Sequence, residues 1–335
     1  MARFLQFTAM RAVMALITLL LVSLIVFTLM ELVPGNCAER YLAFKNTQGS
    51  QITIADIQAE ERRLGLDRPF MVRWVSWVGN VFLRGEFGDS CILRLNINQL
   101  LSDKFWISLG ICLTALILSY LIAVPIGIIS ASSKSPVSNN ILRFFSYLGL
   151  ALPNFLLALI IMLFSTVMFG DSLTGLFSNT YRDAPWSLAK LGDFLKHAWL
   201  PIFILGWSAT AFALQTVRAL MLDEIGKLYV TAAAARGISG GRLLWRYPAR
   251  HALGPVVNSL GFDLNRIFNE LPIVAMIMTL TESGALLIEA LARSNDQQLA
   301  GAIIFLVTSS IVFLNFVTDI LLAILDPRVR RGLIG

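Results

Sequence analysis

The amino-acid sequence predicts an all-α integral membrane protein with six transmembrane helices and both termini in the cytoplasm. Of the 335 residues, 56% are hydrophobic and only 14% are charged, and the mean hydropathy is +0.72. A soluble domain of this length normally carries about 25% charged residues. The charged residues lie in short stretches between long apolar blocks, which is the pattern of a chain that crosses a bilayer several times.

Six apolar segments are long enough to cross the hydrocarbon core of a bilayer, which takes a helix of about 20 residues. These segments are residues 10–30, 105–131, 142–170, 198–222, 254–280 and 298–325. The first segment follows two arginines, as the apolar part of a signal peptide does. Its apolar run is too long for one, however, and no small-residue cleavage site closes it. We therefore expect an uncleaved membrane anchor.

The basic residues between the spans indicate which side of the membrane each loop faces. If the N-terminus is inside, the inner segments hold 13 Lys and Arg residues and the short outer loops hold 4. Residues 31–104 are left out of this count because loops longer than about 60 residues cross the membrane whatever their charge. The same bias explains the basic pI of about 9.5, so we expect no nucleic-acid partner.

This topology divides the chain into three parts. Residues 1–30 form the N-terminal tail and first helix, and residues 31–104 form a periplasmic segment with amphipathic helices. Residues 105–335 form a five-helix core that carries a cytoplasmic loop at 223–253. The lipid bilayer is thus the first partner that the sequence predicts.

The periplasmic segment contains two predicted helices. Thr53 and Asp56 predict the capped start of the first, and Gly65 and Pro69 predict its end. The second either lies at the membrane surface, with its indoles at headgroup depth, or packs within a small external subdomain. Its apolar residues at helical spacing are Phe70, Trp74, Trp77, Val78 and Val81.

Two of the three cysteines lie in the periplasmic segment. Because the periplasm is an oxidising compartment, Cys37 and Cys91 are predicted to form a disulfide. Cys112 lies within the second span and has no partner at a similar depth. The cysteines and histidines show no metal-ligand spacing, so we predict no metal site.

The loop at 223–253 is longer than a simple connection requires. Residues 229–236 are rich in alanine and predict a helix, which Gly237 ends. Ser239 is placed to cap a second short helix that runs through Leu243, Leu244 and Trp245. An apolar tip with basic flanks fits a groove on a partner protein; the alternative is a loop that only orients the chain by its charge.

The loop sequence Tyr-Val-Thr-Ala-Ala-Ala-Ala-Arg-Gly resembles the EAA loop of permeases in binding-protein-dependent ABC importers. From end to end, the chain resembles the dipeptide/oligopeptide/nickel permease family. Four further stretches occur in the order typical of that family: residues 32–36, 64–69, 84–88 and 325–330.

The resemblance implies a type I ABC importer permease fold in the bacterial inner (cytoplasmic) membrane. It implies one half of a translocation pathway for a peptide or a similar small solute, such as an oligosaccharide, an opine or a metal chelate. The implied partners are a second homologous permease subunit, two ATPase subunits and a periplasmic solute-binding protein. ATP and Mg²⁺ would bind the ATPase subunits, since this chain lacks the G-x-x-x-x-G-K-[ST] motif, and the chain itself is expected to hold no cofactor and catalyse no reaction.

In that family the EAA loop is a coupling helix that docks into a cleft of the ATPase subunit. The residues implied for this role are Tyr229, Thr231, Ala232, Ala233, Gly237, Ser239, Leu243 and Leu244. Ala232, Ala233 and Gly237 match the family pattern. Thr231 stands where the wider superfamily has a glutamate, and Pro248 is expected to shorten the second helix.

The fifth predicted span carries polar side chains that are costly in a membrane. They are Asp263, Arg266, Asn269 and Glu270. Their spacing places Asp263, Arg266 and Glu270 on one helical face, where ionisable groups face a cavity or one another. We predict that the four residues line the translocation pathway; the alternative is an ion pair with a partner subunit.

The sequence supports other classes of transport protein less well. An ion-gradient-driven secondary transporter is the main alternative, but the sequence contains no internal repeat of the kind such carriers show. An ion channel would need a selectivity-filter-like run or a ring of acidic residues, and the sequence contains neither.

Overall fold

A computed structural model describes residues 2–32, 35–47, 53–133, 135–170, 173–182, 184–280, 282–294 and 296–325. These residues are helical apart from loops and one isolated β-bridge between Asp89 and Asn96. Two parts of the family-like stretches, residues 33–34 and 326–330, lie outside the described residues.

The described chain contains fourteen α-helices and one π-helical turn. The first seven helices are α1 (Ala2–Leu32), α2 (Cys37–Thr47), α3 (Ile54–Leu64), α4 (Phe70–Arg84), α5 (Ile97–Ser132), α6 (Pro136–Ala151) and α7 (Asn154–Phe169). The remaining elements are α8 (Leu188–Ile225), α9 (Leu228–Ala235), α10 (Gly240–Arg246), α11 (Pro248–Asn258), α12 (Leu260–Ile277), α13 (Ser283–Ile288), a π-helical turn (Glu289–Arg293) and α14 (Gln297–Leu325).

Four of the described helices are long and apolar enough to cross a membrane, namely α1, α5, α8 and α14. A fifth span is possible if α6 and α7 count as one, although they meet at an angle of 98°. The sequence predicts a single span over 142–170, and Pro153 explains the break. Proline disfavours helical backbone at the residue before it, and Leu152 is extended, with φ −90° and ψ 114°.

The predicted span at 254–280 is divided between α11 and α12, which meet at Ser259. Three charged residues interrupt the apolar character of α12, and this pair is not among the candidate spans of the described residues. The count of six transmembrane helices and the cytoplasmic side of the termini therefore stay predictions.

The chain forms two compact units. The first, the core unit, comprises Met1–Ala9, Leu109–Leu280 and Leu314–Gly335. The second, the flank unit, comprises Met10–Ser108 and Thr281–Phe313. The division at residues 30 and 104 stays a prediction.

Close packing of small residues holds the helices of the core unit together. Gly149 on α6 approaches α8 so closely that a Cβ atom at this position would lie 2.6 Å from the Cβ of Ala211. Small residues that let helix backbones approach are typical of membrane bundles. This packing fixes α8, from which the loop at 223–253 continues.

The flank unit contains the whole of segment 31–104, which is held by bonds between residues distant in the sequence. Cys37 on α2 and Cys91 form a disulfide, with Cα atoms 5.3 Å apart. The predicted capping box of α3 is confirmed, because Thr53 and Asp56 exchange side-chain and backbone hydrogen bonds. Gly65 ends α3 with φ +67°, as the sequence predicts. Helix α2 was not predicted.

Candidate coupling loop and polar helix

The loop at 223–253 folds as the predicted pair of short helices. Gly237 follows α9 with φ +84°, a backbone conformation that glycine adopts without steric cost. Its N–H donates to the carbonyl of Ala234 at 2.9 Å, and the N–H of Ile238 donates to Ala233 at 3.3 Å. These two bonds close the C-terminus of α9 and turn the chain toward α10.

The second helix differs from the prediction at its start. Ser239 lies at the N-cap position of α10, but its side chain makes no capping hydrogen bond within the described loop. The expectation for Pro248 is confirmed, because α10 ends at Arg246 and Pro248 begins α11. Proline favours the first position of a helix, where its missing N–H leaves no bond unmade.

Two of the predicted coupling residues are half-buried and contact other parts of the core unit. The Tyr229 hydroxyl donates to Glu224 at the end of α8, and the Tyr229 ring packs edge-on against His251 with centroids 5.2 Å apart. Burial and the hydrogen bond to Glu224 raise the pKa of Tyr229. Leu244 packs against the buried cluster of Val217 and Met221. Tyr229 and Leu244 therefore hold the loop in place.

The surface of the loop is apolar at Trp245, which belongs to the predicted apolar tip, and at Leu228, which the predictions from the sequence did not include. Leu228 at the start of α9 is 87% exposed, and Trp245 on α10 is 47% exposed. Thr231 and Ala232 are also exposed, whereas Ala233 is buried and Leu243 is half-buried. The pattern was available in the sequence, because Leu228 lies four residues before Ala232 and shares its helical face.

The polar side chains of α12 make different contacts from those that their spacing predicts. Asp263 is fully buried, and its Oδ2 accepts a hydrogen bond from the hydroxyl of Tyr120 on α5. The Tyr120 hydroxyl also lies 2.9 Å from the Oγ of Ser259. The other oxygen of Asp263, Oδ1, has no donor among the described residues.

Arg266 does not join the two carboxylates. No ion pair of the described residues involves it, and its guanidinium lies 5.2 Å from the ring centroid of Phe212. Tyr120 contacts Asp263 and Phe212 contacts Arg266, so the described residues show no salt bridge within this set. That the four residues line the pathway stays a prediction. Glu270 is half-buried, and its Oε2 has no donor in the described chain. Asn269 is exposed and donates to Asn265 at 3.3 Å.

The two carboxylates of α12 have buried oxygens that no described donor contacts. Two oxygens, Oδ1 of Asp263 and Oε2 of Glu270, retain acceptor capacity that no described donor uses. Within the described residues, no group of three or more His, Cys, Asp or Glu side chains could hold a metal ion.

Two family descriptions match this chain. Residues 123–331 match "Binding-protein-dependent transport system inner membrane component", and residues 2–93 match the N-terminal part of such membrane components. The first match covers more than half of the chain and includes the loop at 223–253 and α12.

Individual proteins are similar over nearly the whole chain. The oligopeptide transport system permease protein AppB of Bacillus subtilis is 28% identical over 321 residues, which cover 96% of this chain and 98% of AppB. The di/tripeptide transport system permease protein DppB of Pseudomonas aeruginosa is 28% identical, over 98% of this chain and 99% of DppB. The nickel import system permease protein NikB of Staphylococcus aureus is 25% identical, over 96% of this chain and 91% of NikB.

The fold is also similar to that of a solved transporter. A structure of the MetNI methionine ABC transporter in an inward-facing conformation has a TM-score of 0.53 and 15% sequence identity, over 68% of this chain and 97% of that chain. At this identity the likeness concerns the fold, and it identifies the type I permease fold that the sequence predicts. The chain belongs to the family of inner membrane components of binding-protein-dependent transport systems and is a multi-pass permease of the inner membrane.

Proposed function

We propose that this chain is one permease subunit of an ABC importer and forms half of a translocation pathway for peptides or similar small solutes. The observation that carries the proposal is similarity along at least 96% of the chain to permeases named for oligopeptide and di/tripeptide transport. A nickel import permease is similar over the same length, which keeps metal chelates within the proposed range.

The proposed assembly contains a second homologous permease subunit, two ATPase subunits and a periplasmic solute-binding protein. ATP and Mg²⁺ bind the ATPase subunits, and this chain contributes no cofactor and no hydrolytic residue. Both termini and the loop at 223–253 face the cytoplasm, where the ATPase subunits bind. The count of basic residues in the short loops supports this orientation.

The loop at 223–253 is the proposed contact with an ATPase subunit. An exposed leucine at the tip of a basic loop would be unfavourable in water and favourable in an apolar cleft. Leu228 is 87% exposed, while Tyr229 and Leu244 hold the loop from behind. Because these contacts hold the loop against the rest of the core unit, a movement of the ATPase subunit would be transmitted through the loop to the core helices.

Two leucines of almost equal exposure provide a matched test of coupling. Leu188 begins α8 and is 89% exposed, and Leu228 follows the end of α8 and is 87% exposed. We expect Leu228→Glu to abolish uptake while membrane insertion and basal ATP hydrolysis remain, because the charge cannot enter an apolar cleft. Leu188→Glu should retain uptake. Equal uptake by both variants would contradict the coupling role.

The polar residues Asp263, Arg266, Asn269 and Glu270 are the proposed lining of the pathway. The partial exposure of Arg266 and Glu270 and the exposure of Asn269 support this role, whereas Asp263 is buried behind them. Intramembrane ionisable groups are costly and tend to mark solute pathways. We expect Glu270→Gln to slow the uptake of lysine-containing peptides more than that of glutamate-containing peptides, whereas Asp223→Asn should affect both equally.

The substrate class is tested by uptake in a strain that lacks this chain. Labelled dipeptides, longer peptides and a nickel chelate are supplied in turn, with and without the restored gene. Restoration of peptide uptake supports the proposal, and restoration of nickel uptake alone contradicts the peptide class. Uptake that continues after deletion of the ATPase subunits would instead identify ion-gradient-driven transport.

A further inference from the structure

Helix α4 has three faces of different character. Successive residues of an α-helix are turned by about 100°, so residues sort into sectors around the axis. One sector packs against the flank unit: Phe70, Trp74, Trp77, Val78 and Val81. A second sector is polar: Arg73, Ser76, Asn80 and Arg84. The third sector is apolar and exposed: Met71, Val72, Val75, Phe82 and Leu83.

The packed face contacts two helices that cross the membrane. The Trp77 ring packs against Phe27 of α1 with centroids 6.1 Å apart, and against Phe305 of α14 at 5.4 Å. At one end of α4, Phe70 contacts Phe27 at 5.4 Å. At the other end Phe82, which lies at the border between the exposed and the packed sector, contacts Phe305 at 6.0 Å. Because α4 contacts α1 at one end and α14 at the other, it lies across these two helices and not along one of them.

The depth of α4 in the bilayer can be counted along the predicted spans that it contacts. The indole N–H of Trp74 donates to the Oγ of Ser23 at 3.3 Å. Ser23 lies seven residues inside the end of the predicted span 10–30, and Phe305 lies seven residues inside the start of the span 298–325. At 1.5 Å per residue, both positions are about 10 Å below the ends of the spans. Two separate helices therefore place α4 at the same depth.

The polar face of α4 lines a cavity of the flank unit. Arg73 forms an ion pair with Glu31 at the end of α1. Ser76 and Asn80 line a cavity of about 710 Å³ within the flank unit, together with the disulfide cysteines. The polar side chains of α4 thus contact Glu31 or line this cavity. The exposed apolar face lies on a different side of the helix.

We propose that the exposed apolar face of α4 lies in the phospholipid acyl chains of the leaflet on the side of segment 31–104. Met71 and Val75 are each 59% exposed and Leu83 is 86% exposed, which a helix surrounded by water would not favour. An interfacial helix buries its apolar face about 5–10 Å into the headgroup and acyl boundary, which is the depth that the contacts give. Arg84, at the end of the helix, is placed to bind lipid phosphate groups.

The sequence left two alternatives for α4, a helix at the membrane surface and a helix packed against protein. With the proposed lipid contact, each alternative describes one face of the helix. The indoles of Trp74 and Trp77 pack against the spans, as in a packed helix, and the lipid contact comes from the aliphatic residues of the next sector. The sequence pattern of aromatic residues therefore identified the face that binds protein. Val75 and Leu83 carry the proposed contact with the membrane.

Fluorescence quenching in the assembled importer tests this proposal. Bimane is attached to Val75→Cys, to Leu83→Cys and to the polar-face control Asn80→Cys, in full-length chain reconstituted with its partner subunits. The nanodiscs contain phosphatidylethanolamine and phosphatidylglycerol, with or without bromine on the acyl chains. The parent chain without an added cysteine gives the background labelling of the native thiols.

We expect brominated lipid to quench bimane at positions 75 and 83 about threefold more than at position 80, and iodide in the water to show the reverse order. If iodide quenches all three positions equally, α4 lies in water and the proposal is wrong. If neither quencher reaches positions 75 and 83, a protein surface covers this face and the lipid assignment is equally wrong.

Discussion

Segment 31–104 and the loop at 223–253 are both exposed connections, yet they are stabilised in different ways. The segment is joined by a disulfide between residues 54 apart and by ion pairs of Arg73 with Glu31 and of Arg94 with Glu60. The loop has no such long-range bond among its described residues and is held by Tyr229, Leu244 and a glycine turn. The segment has few buried apolar residues of its own, so covalent and charged contacts replace a core.

This difference determines which apolar residues each region leaves on its surface. Tyr229 and Leu244 hold the loop from one side, and its opposite side exposes Leu228 and Trp245. The segment is held at many points, and one face of α4 carries several of its exposed apolar residues, among them Val75 and Leu83. Changes to the segment should therefore affect stability first, and changes to the loop should affect transport first.

The largest expected effect is loss of the disulfide. Cys37→Ser should lower the free energy of unfolding of the flank unit by about 4 kcal/mol, because the bond closes a long loop of the unfolded chain. Cys91→Ser should cost the same, and the double variant no more than either single change. Thermal unfolding measures the loss. A thiol at either position that reacts in intact cells without reductant would show that the bond is absent.

The next effect concerns the turn between α9 and α10. Gly237→Pro removes the N–H that donates to Ala234 and requires a negative φ where the turn has +84°. We expect a local cost of about 3 kcal/mol and loss of transport with normal membrane insertion. Gly237→Ala keeps the donor and should cost only about 1–2 kcal/mol. Normal transport by the proline variant would show that the turn does not matter for coupling.

A smaller effect is expected at the back of the loop. Tyr229→Phe removes the hydroxyl that donates to Glu224, at a cost of about 1 kcal/mol, and leaves the ring against His251. The loop should become more accessible to protease while the flank unit is unchanged. Tyr147→Phe, at a residue that is 61% exposed, is the control. Identical protection of both variants would remove Tyr229 from the contacts that hold the loop.

The smallest effect is a pH dependence of the flank unit. Burial alone would raise the pKa of Glu60, but the hydrogen bonds and charges of Arg63 and Arg94 lower it below its usual value of 4.5. Glu60 therefore contributes stability above pH 4.5 that is lost as the pH falls through the lower folded value. We expect about 0.5–1 kcal/mol, abolished in Glu60→Gln. Parallel acid-unfolding curves for the two proteins would contradict this.

Local rules of helix formation could be predicted from the sequence. The capping box of Thr53, the helix end at Gly65 and the turn at Gly237 each depend on residues within a few positions of one another. The bend at Pro153 follows from the same kind of rule and was available in the sequence. The long apolar run around this proline indicated one continuous span, although two helices at an angle satisfy the same composition.

Contacts between distant residues could not be predicted in this way. Asp263 and Arg266 are spaced for an ion pair on one helix, but Tyr120, 143 residues away, is the partner of Asp263. Spacing shows which side chains can meet and not which competing partner packs closer. The packing of Leu244 against Val217 and Met221 has the same origin, since these residues are distant in the sequence.

The contact of the loop with an ATPase subunit is measured most directly by cross-linking. A photoreactive amino acid is placed at position 228 or at position 188, in full-length chain assembled with its partners in the membrane. The account predicts a covalent adduct with the ATPase subunit from position 228 and none from position 188. No adduct from position 228, or equal adducts from both positions, would contradict the assignment of the loop at 223–253 as the coupling element.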